Sequence, residues 1–257
     1  MAPASNRIVV HESSMRDAER AIDLTELHQR LAAARSVCVL TGSGISAESG
    51  LPTFRGIGGL WRTHRVEQLA SPQGFARDPR LVWTWYNERR TAHKSVEPSP
   101  AHVALAEIER RVPDFTLVTQ NVDSLHVRAG SRNVLELHGK LREAKCTRCD
   151  ARRPFDDAFD LDALEHACGG MWRPDIVWFG ESLPPDVLEA AFEAAQRAEL
   201  MLVVGTSGIV QPAASLATKR CTPAYVVEIN PEETALTAHA DRSIRARASA
   251  VLPELAR

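Results

Sequence analysis

Short apolar runs rich in β-branched and aliphatic residues recur at 36–41, 115–119, 134–137, 176–179, 200–205 and 224–229. They show little apolar/polar alternation, which is the pattern of strands buried on both faces, as in a parallel sheet. Between several of them, apolar residues fall at helical spacing over 24–34, 100–111, 185–198 and 213–219. Ser99-Pro100 and Pro184-Pro185 read as helix starts, because proline in the first turn gives up an N–H that has no partner there anyway. Strands and helices alternating in this way predict an α/β chain with a doubly wound, Rossmann-like parallel sheet.

Two stretches break the rhythm. Residues 56–97 are rich in Arg, Trp and Gly with helix-like pieces, and residues 145–174 hold paired cysteines, many charges and no core period. Both read as insertions that build a smaller domain beside the sheet. The expected division is 21–55, 98–140 and 182–257 for the Rossmann-like domain, 56–97 for a helical insertion and 141–181 for a zinc-ribbon-like insertion. Residues 1–20 form an N-terminal extension.

Composition narrows the partners. With 257 residues, 44% of them hydrophobic, the chain is large enough for a sizeable core and too apolar for disorder. Its 31 Lys+Arg nearly balance 33 Asp+Glu, so no overall charge draws it to nucleic acid or an anionic membrane. No uninterrupted apolar run is long enough to span a bilayer. Glu12, Asp17 and Glu19 stand where the apolar part of a signal peptide would be. Five cysteines, an odd number, do not make a disulfide framework. The expected setting is the reducing cytoplasm, and the expected state a monomer.

Chemistry begins after the first strand. Gly42-Ser43-Gly44-Ile45-Ser46-Ala47 fits G-x-G-x-x-G/A, in which the first glycine permits a tight turn and the second lets backbone approach a pyrophosphate. A simple dehydrogenase would carry an acidic ribose partner about 20 residues later. The chain instead runs on as Glu48-Ser49-Gly50-Leu51-Pro52-Thr53-Phe54-Arg55-Gly56.

That longer string resembles the sirtuin signature. Thr119-Gln120-Asn121-Val122-Asp123, Leu137-His138-Gly139, Val177-Trp178-Phe179-Gly180-Glu181, Gly205-Thr206-Ser207 and Glu228-Ile229-Asn230 resemble further family segments, in family order. The resemblance implies an NAD-dependent protein-lysine deacylase in which NAD is a co-substrate. In that chemistry the acyl oxygen attacks the ribose carbon bearing nicotinamide. A histidine then deprotonates a ribose hydroxyl that attacks the resulting alkylamidate, and the products are lysine, nicotinamide and O-acyl-ADP-ribose. A side chain titrating near neutrality suits the proton abstraction, which makes His138 the expected general base. Asn121 is expected to order the reacting ribose and its water. By the same resemblance the cofactor is held by Gly42, Ser43, Gly44, Ile45, Ser46, Ala47, Thr53, Phe54, Arg55, Trp61, Gln120, Asn121, Asp123, Gly205, Thr206, Ser207, Asn230, Pro231, Glu232 and Ala248, with Phe54 shielding the intermediate from water. Val177, Trp178, Phe179, Gly180 and Glu181 are expected to bind the acyl-lysine protein, which pairs through its backbone.

Tyr86 and Arg89 stand at i, i+3, so on a helix they share a face. Such a pair is ordinarily solvated. Here it resembles the Tyr-x-x-Arg pair of class III sirtuins, which implies a preference for succinyl-, malonyl- or glutaryl-lysine, because a phenol and a guanidinium bind a carboxylate by charge-assisted hydrogen bonds. Plain acetyl stays open, as do mono-ADP-ribosyl transfer and a non-catalytic NAD or ADP-ribose sensor.

Cys146 and Cys149 form half of a zinc site. Cys168 fits the last position of a second half, but Glu165 occupies the third, with His166 beside it. The expected structural zinc therefore has Cys146, Cys149, Cys168 and Glu165 as ligands, with His166 as the other candidate and loss of the metal a further outcome. Cys38, inside a strand, and Cys221, in a late loop, are not expected to be ligands. Arg245-Ala246-Arg247-Ala248 departs from the family's glycine-bearing stretch, so a methyl at Ala246 is expected to tighten the adenine pocket.

Overall fold

The computed structural model describes residues 22–53, 66–155, 157–218 and 224–257. Six strands form one parallel sheet: β1 (Ser36–Thr41), β2 (Asp114–Thr119), β3 (Val134–Glu136), β7 (Leu200–Val204), β8 (Tyr225–Ile229) and β9 (Arg242–Ile244). Their order is β3-β2-β1-β7-β8-β9. The chain reverses its direction of travel across the sheet between β1 and β7, and ligands of open α/β sheets bind at the carboxyl ends around such a point.

The lack of alternation has its physical reason in this sheet. Val37 and Val39 of β1 face one helical layer while Cys38 and Leu40 face the other, and β7 divides in the same way, with Leu200, Leu202 and Val204 opposite Met201 and Val203. The first layer contains α1 (Thr25–Ala33), α6 (Pro100–Glu109) and α10 (Ala248–Leu255); the second contains α8 (Pro185–Arg197) and α9 (Ser215–Thr218). A short helix, α2 (Ser43–Ala47), follows β1, and another, α7 (Leu125–Arg128), follows β2. Among the described residues no helix is long and apolar enough to cross a membrane.

The expected parallel strand over 176–179 is not one. Ile176 ends β6 (Trp172–Ile176), which pairs antiparallel with β4 (Gly139–Cys146), and β4 pairs antiparallel with β5 (Arg152–Pro154). Residues 177–181 leave that sheet in a turn: Glu181 N–H donates to the Trp178 carbonyl, and Gly180 has φ +87°. In the other direction, β9 is a parallel strand that the apolar pattern did not reveal, since Arg242 and Ser243 make it polar at the sheet edge.

The small sheet packs on three helices, α3 (Val66–Leu69), α4 (Pro72–Arg77) and α5 (Pro79–Lys94). Ser71 and Asp78 cap the last two, accepting from Gly74 and Leu81 N–H groups, with proline at the first helical position of each. Trp83 of α5 is fully buried, stacks on Phe159 with ring centres 4.0 Å apart, and donates its indole N–H to the Trp172 carbonyl at 2.8 Å. Burial of an aromatic ring with its N–H satisfied ties the two inserted stretches into one core.

Candidate active site

The carboxyl ends of β1, β2, β7 and β8, the His138 turn, α5 and residues 177–181 enclose a cleft of about 890 Å³. Of the residues expected to hold cofactor, Gly42, Ser43, Gly44, Ala47, Thr53, Gln120, Asn121, Gly205, Thr206, Ser207, Asn230, Pro231, Glu232 and Ala248 line it. So do His138, Tyr86, Arg89, Val177, Trp178, Phe179, Gly180 and Glu181. Ile45 lies in the sheet core instead, and Ser46 and Asp123 stand behind the cleft wall. Phe54, Arg55 and Trp61 lie outside the described residues.

The floor is a close crossing of two loops. Gly44 N–H donates to the Gly205 carbonyl at 2.8 Å. A Cβ on Gly44 would sit 2.7 Å from Gly205 Cα, and one on Gly205, whose φ is +61°, would sit 2.6 Å from Ile45 N. Any side chain at either position would push the loops apart. Gln120 Nε2 reaches Thr206 Oγ1 at 2.9 Å and Asn230 Nδ2 reaches the Thr206 carbonyl at 3.1 Å, so the ends of β2, β7 and β8 are tied to one residue.

His138 Nδ1 lies 2.9 Å from the Gln120 carbonyl. A carbonyl only accepts, so Nδ1 carries the hydrogen and Nε2 keeps its lone pair. Burial lowers the His138 pKa below 6.5, partly offset by that hydrogen bond. The imidazole is a neutral base with one defined basic atom.

Asn121, nearly fully buried, donates through Nδ2 to the Gly42 carbonyl at 3.1 Å and to Ser46 Oγ at 3.0 Å. Ser46 Oγ donates in turn to Asp123 Oδ2 at 2.7 Å. Behind Ser46 sits His102, whose Nδ1 accepts from Ser99 N–H at 3.2 Å and whose Nε2 faces Ser46 Oγ at 3.5 Å. Burial pushes His102 down to about 4 and raises the Asp123 carboxyl. His126 Nε2 meets Thr41 Oγ1 at 2.9 Å, and its ring lies 4.6 Å from that of His102. His102 and His126 escaped the sequence reading because nothing in their local context distinguishes a histidine buried behind a site from one at the surface.

At the other end, Tyr86 and Arg89 project from α5 as the i, i+3 spacing requires. The Tyr86 hydroxyl accepts the Trp178 indole N–H at 3.0 Å, and burial pushes its pKa up to about 12. Arg89 lies 4.8 Å from the Trp85 ring centre, and burial lowers it to about 10. Both groups keep their protons at neutral pH.

In the small sheet, Cys146, Cys149, Cys168 and His166 bring their ligand atoms within 4.8 Å of one another. Cys146 Sγ is 3.5 Å from Cys168 Sγ, and His166 Nδ1 is 3.0 Å from Cys168 Sγ and 3.6 Å from Cys149 Sγ. A tetrahedral zinc with Zn–S near 2.3 Å sets ligand-to-ligand edges of about 3.8 Å, so a three-thiol, one-imidazole set fits that metal. Glu165, the expected fourth ligand, is exposed and outside this group. Its backbone bridges to Met171 while His166 N–H bonds the Gly170 carbonyl, so consecutive side chains face opposite ways and the imidazole points to the thiols.

The Sir2 family model matches residues 42–212. The chain is 48% identical over 235 residues to NAD-dependent protein deacylase 1 of Archaeoglobus fulgidus, covering 90% of this chain and 96% of the relative. This chain belongs to the Sir2 family. It is 50% identical over 227 residues to NAD-dependent protein deacylase 2 of Pyrobaculum aerophilum, covering 88% of this chain and 91% of the relative. Among solved structures, a Sir2 homologue–ADP-ribose complex superposes with a TM-score of 0.86 at 47% identity over 91% of this chain and 95% of the other. A Sir2 homologue–NAD complex gives 0.83 at 47%, over 90% and 92%.

One departure of this Sir2-family chain falls away from the cleft. Ala246, expected beside the adenine, packs against the sheet core instead, and Arg247 and Ala248 line the cleft.

Proposed function

We propose that the chain is an NAD-dependent protein-lysine deacylase that removes succinyl, malonyl and glutaryl groups and accepts acetyl as well. The observation that carries the reading is one cleft joining His138, Asn121 and the glycine crossing at one end to Tyr86 and Arg89 at the other. The crossing suits a dinucleotide, because its glycines line the cleft at the carboxyl ends of the strands and bring bare backbone to its floor. NAD, when bound, supplies an electrophilic ribose carbon with nicotinamide as leaving group and the hydroxyls that receive the acyl group. His138 Nε2 takes the hydroxyl proton. Asn121 orients the ribose, itself held by Gly42 and by Ser46 behind the cleft wall. Tyr86 and Arg89 donate to the acyl carboxylate; a phenol that keeps its proton and a guanidinium that keeps its charge are both donors throughout the physiological range. The substrate peptide lies along residues 177–181 and pairs by backbone.

On this reading the domains divide at 21–55, 98–140 and 182–257 against 56–97 and 141–181. The zinc held by Cys146, Cys149, His166 and Cys168 is structural, and the enzyme works as a cytoplasmic monomer. The test is a mass-spectrometric deacylation assay with NAD and one peptide carrying succinyl-, glutaryl- or acetyl-lysine, with Tyr86→Phe and Arg89→Met alongside. The reading requires the acidic groups to be preferred and both substitutions to remove that preference. Equal losses for every acyl group would make the pair scaffold and the protein a general deacetylase.

A further inference from the structure

The Tyr86 hydroxyl does not act alone. Trp178 Nε1–H, which can only donate, gives its hydrogen to the Tyr86 oxygen at 3.0 Å. An oxygen that accepts from the indole has its own O–H turned away from it, and accepting one hydrogen bond strengthens the one it donates.

The indole is itself held from three sides. The Arg173 guanidinium lies 3.3 Å from the Trp178 ring centre. Arg173 pairs with both oxygens of Glu181, Nη1 to Oε1 at 2.5 Å and Nη2 to Oε2 at 2.8 Å, and Nη2 also reaches the Ile176 carbonyl. Glu181 Oε2 then accepts the Trp178 backbone N–H at 2.8 Å. Phe75 packs on the indole with ring centres 5.4 Å apart. Arg173 is buried, and a paired, buried, planar fork of this kind fixes geometry more than it adds stability.

We propose that Trp178 is a specificity-determining positioning residue, fixed by Arg173 and Glu181, whose indole N–H makes the Tyr86 hydroxyl an oriented donor to the carboxylate of an acidic acyl-lysine. The inference rests on the acidic-acyl reading of Tyr86 and Arg89. An acetyl group ends in a methyl and makes no use of this donor, so the relay acts on the choice of acyl chain.

The experiment is steady-state deacylation of one peptide in its succinyl and acetyl forms by the full-length protein, comparing Trp178→Phe, Tyr86→Phe, the double variant, Arg89→Met and Arg173→Lys. Trp178→Phe keeps an aromatic ring and removes the N–H. The ratio of succinyl to acetyl kcat/KM is expected to fall about tenfold, the scale of one oriented hydrogen bond, chiefly through a raised succinyl KM. In the Tyr86→Phe background the same change is expected to lower the ratio no further, because the group it acts through is gone. Arg173→Lys, which loses the fork and much of the stacking, is expected to lower the ratio less, and it carries the test if Trp178→Phe does not fold. A Trp178→Phe ratio equal to wild type, or a fall fully additive with Tyr86→Phe, would overturn the relay while Arg89→Met still shows the carboxylate site. If Arg89→Met and Tyr86→Phe both leave the ratio unchanged, the acidic-acyl reading fails and the relay with it.

Discussion

Removing the imidazole from the thiol cluster is the sharpest test of what holds the small sheet. His166→Ala takes away one of four ligand atoms that lie within 4.8 Å of one another. Structural zinc in small modules contributes roughly 10–16 kcal/mol at neutral pH. An equal quarter share is about 3 kcal/mol, or about two orders of magnitude in metal affinity. The neighbouring Glu165→Ala leaves the cluster intact and is expected to change affinity less than about twofold, as a surface substitution does. The assay is competition for zinc against a chromophoric chelator, with the melting temperature recorded before and after chelation. Wild type and Glu165→Ala should retain zinc and lose melting temperature when it is stripped. His166→Ala should release zinc readily and melt near the stripped wild type. Retention of wild-type affinity by His166→Ala, together with weakening in Glu165→Ala, would refute the assignment of the fourth ligand.

Three further outcomes follow from the geometry. Burial holds His138 below 6.5 and the neutral form is the base, so the acid limb of kcat/KM should be centred below pH 6.5; an acid limb centred above 6.5 would contradict this. His102 is lowered to about 4 and His126 well below 6.5, both by burial; their unfolded forms take up protons first, so stability is full above about pH 6.5 and declines below it, with His102 alone contributing about 2 kcal/mol of the decline at pH 5. Urea midpoints across that range should show the decline, and a flat profile would refute it. Gly205→Ala places a Cβ 2.6 Å from Ile45 N at a φ of +61°, at a cost of at least about 1 kcal/mol, and should raise KM for NAD more than KM for the peptide in initial-rate kinetics.

The central sheet was legible because burial on both faces leaves unbroken apolar runs, which is why β1, β2, β7 and β8 stand close to their expected positions. The same logic failed where a different cause makes a run apolar. Ile176 and Trp178 are buried against α5 and the small sheet, so residues 176–179 imitate a central strand without being one. It failed again at β9, where edge position lets Arg242 and Ser243 interrupt the pattern. The site was legible where chemistry forces a local string: the glycines of the loop crossing, and the histidine in Leu137-His138-Gly139. The fourth position of the thiol cluster stayed open between Glu165 and His166, because cysteine spacing does not say which of two adjacent side chains faces the thiols; the fold brings His166 to them. Contacts made only by tertiary folding, such as the Ser46–His102 approach, the Trp178–Tyr86 bond and the bonds of Glu228 to Thr234, Thr237, Ser243 and Arg245, leave no local trace in sequence.

The most direct measurement of the central claim is product analysis of a single reaction with succinyl-lysine peptide and NAD. Mass spectrometry should find free peptide, nicotinamide and O-succinyl-ADP-ribose in equal amounts, with all three lost in His138→Ala while NAD still binds. Nicotinamide released alongside an ADP-ribosylated peptide, or product formation that survives His138→Ala, would contradict the account.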